Sequence, residues 1–435
     1  TGASNTAVGY KALFDNTTGC FNTATGSHAL AANTTASNNT AVGYIALRSN
    51  TTGTNNVAHG MTALYTNTTG ASNTGIGAYA LQYSTTASKN TATGNHSMRN
   101  TTTGHNNTAS GYQSLYTNST GYYNTAIGGY ALNVNTSGHS NTASGYNNLK
   151  ANTTGSNNTA VGRDTMISNT TGAQHTAIGQ AALAVNTTGH NSVAVGYYSL
   201  YGNTTGNSNV AVGCAVLKAN TTSSYNVGVG NLALCANTTG AYNTGIGADA
   251  LKLNTTGCFN VAVGLSSMIN NTTAKYATAL GSYAMYYNTT ADNNVAVGHS
   301  ASMCNVTGGS NTAVGTHALK ENTASSNTAV GFKALINNTT GSQNTASGSY
   351  SSFYSTTGGC NTSHGYAAMM KTTTACLNTA IGHTAMYQNT TGATNTAVGY
   401  SALKNNTTAH YNTAVGGCTL FANTTGAYNT GVGFK

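Results

Sequence analysis

The 435-residue sequence contains no proline and no tryptophan, and only 4% of its residues are charged. Chains too polar to fold are normally charged and proline-rich, so this composition argues against disorder. The five carboxylates, Asp15, Asp164, Asp249, Asp292 and Glu321, stand far apart. Paired-carboxylate hydrolysis and calcium loops need acids at close, fixed spacing, and neither is expected here. The 14 Lys and Arg give a net charge of +9 without forming a run. A phosphate-tracking groove gathers several cations on one surface, so nucleic acid is not an expected partner. The eight cysteines show no CxxC and no regular spacing, which fits neither a disulfide framework nor a zinc site. Only Cys360 and Cys376 fall at neighbouring positions of adjacent repeats. There is no apolar run of membrane-spanning length and no secretory leader. The sequence starts without Met and stops inside a repeat at Gly-Val-Gly-Phe-Lys, which reads as a window of a longer fibre protein.

What is abundant is Gly, Asn, Thr and Ala in one recurring phrase. A glycine returns every 17 residues, at Gly9, Gly26, Gly43, Gly60, Gly77 and on to Gly433, with a single step of 16 between Gly315 and Gly331. Counted from its first Asn, the repeat reads N-T-A-V-G-Y-x-A-L-x-x-N-T-T-G-x-x. A unit this short cannot hold a helix pair, and its β-branched residues point to one coil of a parallel β-solenoid of about 25 coils, an all-β fold running as one continuous array over residues 1–435. At about 4.8 Å per coil, such an array would form a rod on the order of 120 Å long. The Asn-Thr-Thr-Gly segment supplies a turn, since Asn and Gly tolerate positive φ and Thr bonds locally to the backbone. The glycine at position five marks a corner that a Cβ would obstruct. The short step falls in this turn, where a lost residue is most easily absorbed.

Alternation within the strand assigns the faces. Positions two and four carry Thr or Val and then Val or Ile, as at Val193 with Val195 and Val261 with Val263, and residues two apart share a strand face. With Leu or Met at position nine (Leu13, Leu30, Leu47, Met98, Leu251) they are expected to fill a thin interior. Position three is always Ala, Gly or Ser, including Ala7, Ala24, Ala41, Gly75, Ala160 and Gly228. Placed outside, a row of residues this small implies another backbone packed against it. The expectation is therefore a chain-long contact face and a homo-oligomeric fibre. The opposite orientation, with small residues in a cramped interior and Val outside, is disfavoured by Leu at position nine.

The segments Asn191–Gly196 (NSVAVG) and Asn260–Gly264 (NVAVG), with the frequent NTAVGYxAL, resemble the head repeats of YadA-like trimeric autotransporter adhesins, and similar arrays occur in phage tail-fibre proteins. The resemblance covers the whole chain. It implies a left-handed parallel β-roll, three chains side by side, and an extracellular adhesive or spacer role. The NTTG arm makes these repeats longer than the usual adhesin head repeat, and no stalk, neck or anchor segment is visible.

No catalytic, cofactor-binding or metal-binding residues are expected. The histidines scatter over the repeat, and His59 and His364, which replace Val at position four, read as isolated core substitutes. No Ser has a nucleophile elbow with His and Asp at consistent offset, and Gly-x-Gly here lacks a third glycine and a helix. One motif does suggest a modification. Asn-x-Ser/Thr recurs at the turn in 20 repeats, among them Asn16, Asn33, Asn50, Asn118, Asn152, Asn254, Asn338 and Asn423, where N-glycans would form a line along one edge. Tyrosines at position six (Tyr10, Tyr44, Tyr112, Tyr146, Tyr197, Tyr366, Tyr400) read as structural rungs, with a carbohydrate-binding stripe as the alternative. The function expected is thus a non-enzymatic extracellular fibre or filament shaft built from identical chains. The alternatives are an adhesin or tail-fibre shaft binding surface glycans, and an ice-binding solenoid. Against ice binding, Thr at position two is expected to face inward.

Overall fold

The computed structural model describes residues 2–435. Its regular elements are 26 parallel strands of three residues each, one per repeat, from β1 (Thr6–Val8) to β26 (Thr430–Val432), and there is no helix among the described residues. The chain is thus an all-β solenoid with a 17-residue coil. It divides into two compact units, Thr1–Thr222 and Ser223–Lys435. The first holds β1 to β13 (Val210–Val212), the second β14 (Val227–Val229) to β26.

Within each unit the register is set by the repeat. In the first, Thr6, Ala7 and Val8 pair with Thr23, Ala24 and Thr25; in the second, Val227, Gly228 and Val229 pair with Thr244, Gly245 and Ile246. Like therefore stands on like. Hydrogen bonds between coils continue around the perimeter beyond the strands. In the first two coils Gly26 N–H donates to the Val8 carbonyl, His28 to Tyr10, Leu13 to Ala29, Asp15 to Ala31 and Thr17 to Thr34, all at 2.8–3.0 Å. Buried backbone groups must be paired, and here most partners lie one coil away.

The short strands are joined by tight bends made from left-handed residues. Positions seven, nine and seventeen adopt positive φ, as in Lys11 (52°), Leu13 (55°) and Phe21 (58°). The corner glycines Gly9, Gly26, Gly43, Gly60 and Gly77 lie at φ 126–138°. A Cβ on Gly26 would sit 2.5 Å from the Gly43 carbonyl oxygen of the next coil, so the corner has no room for any side chain. The 16-residue step is taken up in the turn. Asn322 Nδ2 reaches the carbonyl of Ala324 (2.7 Å), two residues on, where Asn338 Nδ2 reaches Gly341, three residues on. Thr312 still pairs with Thr328.

The interior corrects the expected orientation of the strand. Ala24, Ala41 and Ala160 are fully buried inside their own coil, as are Gly75 and Gly228, while Ala7 in the first coil is exposed. The small residues at position three are therefore core and form no inter-chain face. Ala at position eight and Leu or Met at position nine, exemplified by Ala29 with Leu30 and Ala46 with Leu47, approach from the opposite wall and are also fully buried. Leu and Val on facing walls would overfill so thin a coil, so the strand contributes a methyl and the opposite wall a Leu. Positions two and four turn outward. His59 and His364, expected in the core, are accordingly exposed.

Candidate functional site

Four features run along the coils of each unit. Two are internal and two external.

The internal features are rows of asparagine. At position one, Asn39 Oδ1 accepts the N–H of Asn56 (2.9 Å) and Asn39 Nδ2 donates to the Gly53 carbonyl (3.0 Å). At position twelve, Asn50 Nδ2 donates to Asn33 Oδ1 (3.1 Å) and to the Gly53 carbonyl (2.9 Å). Each amide thus closes its own turn and ties it to the neighbouring coil. Buried polar groups are tolerated only when paired in this way.

Position twelve is where the glycan acceptors were expected, and the geometry opposes that role. Asn33, Asn50, Asn118, Asn152, Asn254 and Asn338 are fully buried, and Asn16 and Asn423, in end coils, are half-buried. All eight use Nδ2, the atom a glycan would occupy, as a hydrogen-bond donor. Asn16 gives it to the Gly19 carbonyl, Asn33 to Ala36, Asn118 to Gly121, Asn152 to Gly155, Asn254 to Gly257 and Asn423 to Gly426. A sugar there would have to displace the turn from the coil. Asn stands at this position because its side-chain amide holds the turn from within.

Two interruptions occur in this row. Ser84 and Thr101 replace Asn in consecutive coils of the first unit, and Ser355 and Thr372 do so in the second, all of them buried. The hydroxyls of Ser84, Thr101 and Thr372 have no hydrogen-bond partner, nor do Asn67 Oδ1 and Asn338 Oδ1, the acceptors of the preceding coils. At position one, His175 replaces Asn and copies its bonding. Its Nδ1 accepts the N–H of Ser192 (3.2 Å), so the proton of the neutral ring belongs on Nε2, which lies 2.6 Å from the Gly189 carbonyl. Burial pulls this imidazole below the usual histidine value, against the opposing influence of its backbone bonds to Gly189 and Ser192.

The first external feature is the strand face. Position two is Thr in 20 strands and Val in six. Position four is mostly Val or Ile and faces outward, exposed at Ile127 (48%) and Ile178 (40%) in the first unit and at Ile246 (39%) and Val330 (40%) in the second, and half-buried at Val229, Val263, Val297 and Val314. From Val229 to Val330 seven successive coils of the second unit place Val, Ile or Leu there.

The second external feature is the bend formed by positions six, seven, ten and eleven. In the first unit 12 of 14 tyrosines and six of seven Lys and Arg lie at these positions. Four of the cations, Arg48, Arg99, Lys150 and Lys218, are separated by whole coils, 51, 51 and 68 residues apart, and so stand in one row at position ten. Arg99 lies over the ring of Tyr79 at 5.7 Å, Lys150 over Tyr130 at 5.1 Å and Lys218 over Tyr198 at 5.4 Å. Elsewhere, in the second unit, Tyr225, Tyr242, Phe259 and Tyr276 form a parallel ring stack at 4.9–5.2 Å. Stacked so, the rings offer their edges outward, and a flat sugar-binding platform is confined to the ends of the stack.

All eight cysteines are free, Cys360 and Cys376 included. Among the described residues no three His, Cys, Asp or Glu side chains converge as metal ligands, and no helix is long and apolar enough to cross a membrane. No protein-family model matches the chain, and no curated protein matches it.

Proposed function

We propose that this protein is a non-enzymatic structural component, a shaft of an extracellular fibre or filament assembled by lateral packing of identical chains for surface display. The supporting observation is the outward apolar row at position four. Contiguous outward apolar surface marks an interaction site, and seven consecutive coils from Val229 to Val330 each place a half-buried or exposed Val, Ile or Leu on it without a polar break. The fitting occupant is a second copy of this chain. The outward side chains repeat once per coil, and a second copy carries the same row at the same interval, so the two rows stay in register along their length. The face that packs is thus the Val face, in place of the Ala row assigned from sequence. Light scattering and sedimentation should give a multimer whose dissociation is driven by Val263→Asp combined with Val297→Asp, with an unchanged circular dichroism spectrum. A monomer at all concentrations would overturn the proposal.

Ice binding is favoured by one observation of its own. The threonines at position two face outward, contrary to the inward placement that had weighed against this reading. From Thr312 to Thr430 they stand in eight successive coils of the second unit, a regular array of methyl and hydroxyl groups on a ladder of fixed rise. Thermal hysteresis of the full chain, abolished by replacing Thr345, Thr362 and Thr379 with Lys, would put this reading first; its absence would remove it.

A further inference from the structure

Three sites on the tyrosine-rich bend of the first unit are built alike. In each, a cation at position ten lies over the position-seven tyrosine of the preceding coil: Arg99 over Tyr79, Lys150 over Tyr130 and Lys218 over Tyr198. More phenols surround each pair. Arg99 also lies 5.3 Å from the Tyr83 ring and donates from Nη1 to the Tyr116 hydroxyl at 2.8 Å. Tyr130 sits between Tyr112 and Tyr146 at 5.3 and 5.9 Å. Tyr198 is flanked by Tyr197 and Tyr201 at 4.3 and 4.9 Å. None of the three cations has a carboxylate partner among the described residues, whereas Lys252 and Lys320 of the second unit are paired with Asp249 and Glu321, each at 3.0 Å.

We infer that this edge is a binding surface for an acidic polysaccharide, a chain of sugars carrying carboxylate or sulfate groups. Each site offers a cation with no carboxylate partner for the acid group, although Arg99 also donates from Nε to Gln82 Oε1 at 2.7 Å, and several phenol hydroxyls and ring edges for a sugar, the mixture of apolar body and polar tip that tyrosine provides. The sites lie three and four coils apart, about 14 and 19 Å at roughly 4.8 Å per coil. That exceeds the screening length of about 8 Å at physiological salt, so the cations act singly and a ligand gains by spanning them. This spacing disfavours duplex nucleic acid, whose charge falls about every 1.7 Å of helix axis and calls for dense neutralisation. Single strands rely on bases stacking on open ring faces. Here neighbouring rings meet edge to face, as Tyr130 does with Tyr112 and Tyr146 and Tyr198 with Tyr197, and form no run of parallel faces for successive bases. The inference is independent of self-assembly, because the tyrosine bend and the Val face are different surfaces of the coil.

The test is titration of the full chain at 50 mM and 150 mM salt with a polyuronate, a sulfated dextran, neutral dextran and single-stranded DNA, with the oligomeric state recorded in the same samples. Binding of an acidic polysaccharide is expected, weakening with salt and absent for neutral dextran. Arg99→Gln, Lys150→Gln and Lys218→Gln together should weaken it roughly tenfold or more by removing the multivalent contacts. Lys252→Gln with Lys320→Gln should leave it within twofold, and both variants should keep the wild-type melting temperature. No acidic polysaccharide bound at 50 mM salt, equal binding by the triple variant, or tighter binding of DNA would each overturn the inference.

Discussion

At the scale of single residues, the coil is governed by side chains that imitate one another's bonds. His175 shows how strict the demand is. Its Nδ1 stands where Asn Oδ1 stands in other coils and faces the N–H of Ser192, while Nε2 takes the place of the amide donor. A proton on Nδ1 would set two donors against each other in a buried site. The folded state therefore keeps this ring neutral and its pKa lowered, mainly through burial. The unfolded chain takes up the proton near the ordinary histidine value of about 6.5. Below that pH the unfolded state binds more protons, so His175 makes stability fall with acidification; above it the effect vanishes. Denaturant unfolding at pH 7.5 and 5.0 should show a loss that His175→Asn reduces, the remainder including His96 and His317, whose values burial also lowers. An equal loss in both proteins would show that His175 is not responsible.

At the scale of the coil, the asparagine row acts as a seam, and its two interruptions mark where it is weakest. Ser84 and Thr101 leave Asn67 Oδ1 and their own hydroxyls without partners. Restoring the amides through Ser84→Asn with Thr101→Asn should reconnect the row from Asn67 to Asn118. The gain expected from satisfying such buried groups is about 1–3 kcal/mol in denaturant unfolding; no gain would mean that the short side chains are already satisfied. This seam also shows what could be read in advance. The period, the Leu at position nine, the bend at glycine and the turn at NTTG are visible because each needs a particular residue type. The phase of the strand was misread because Thr, Ala and Val are all compatible with either face of a three-residue strand. The clue lay in the Asn at position one. It shares parity with Ala at position three, so an inward Asn places that Ala inside. The Asn-x-Thr motif misled for the same reason, since a motif specifies side-chain chemistry but not the side of the backbone on which it lies. The cation–tyrosine pairs were hidden because their members are 20 residues apart and meet only when coils stack.

At the scale of the whole molecule, each unit repeats one local solution, and coils interact with their neighbours. Stability should then rise as a sum of coil and interface contributions, as in other solenoids. Excising one full repeat of regular sequence, residues 39–55, should leave the spectrum per residue unchanged and lower the total unfolding free energy only slightly. Excising eight residues from the same region would place strand against turn, and should abolish cooperative melting locally. Equal effects of the two deletions would contradict a register set by the repeat.

The left-handed residues have a consequence for how such a structure comes into being and is lost. Three per coil, at about 1–2 kcal/mol each, burden a solitary coil that has no neighbour to receive its hydrogen bonds. A first coil therefore has almost nothing to hold it. Each later one lays its N–H and C=O groups against a finished template. Within each unit, formation should show a lag that a preformed fragment shortens, and dismantling should start from a coil with an open side while coils covered on both sides stay protected from proteases. Durability of this kind comes from the order of events more than from the depth of any one contact.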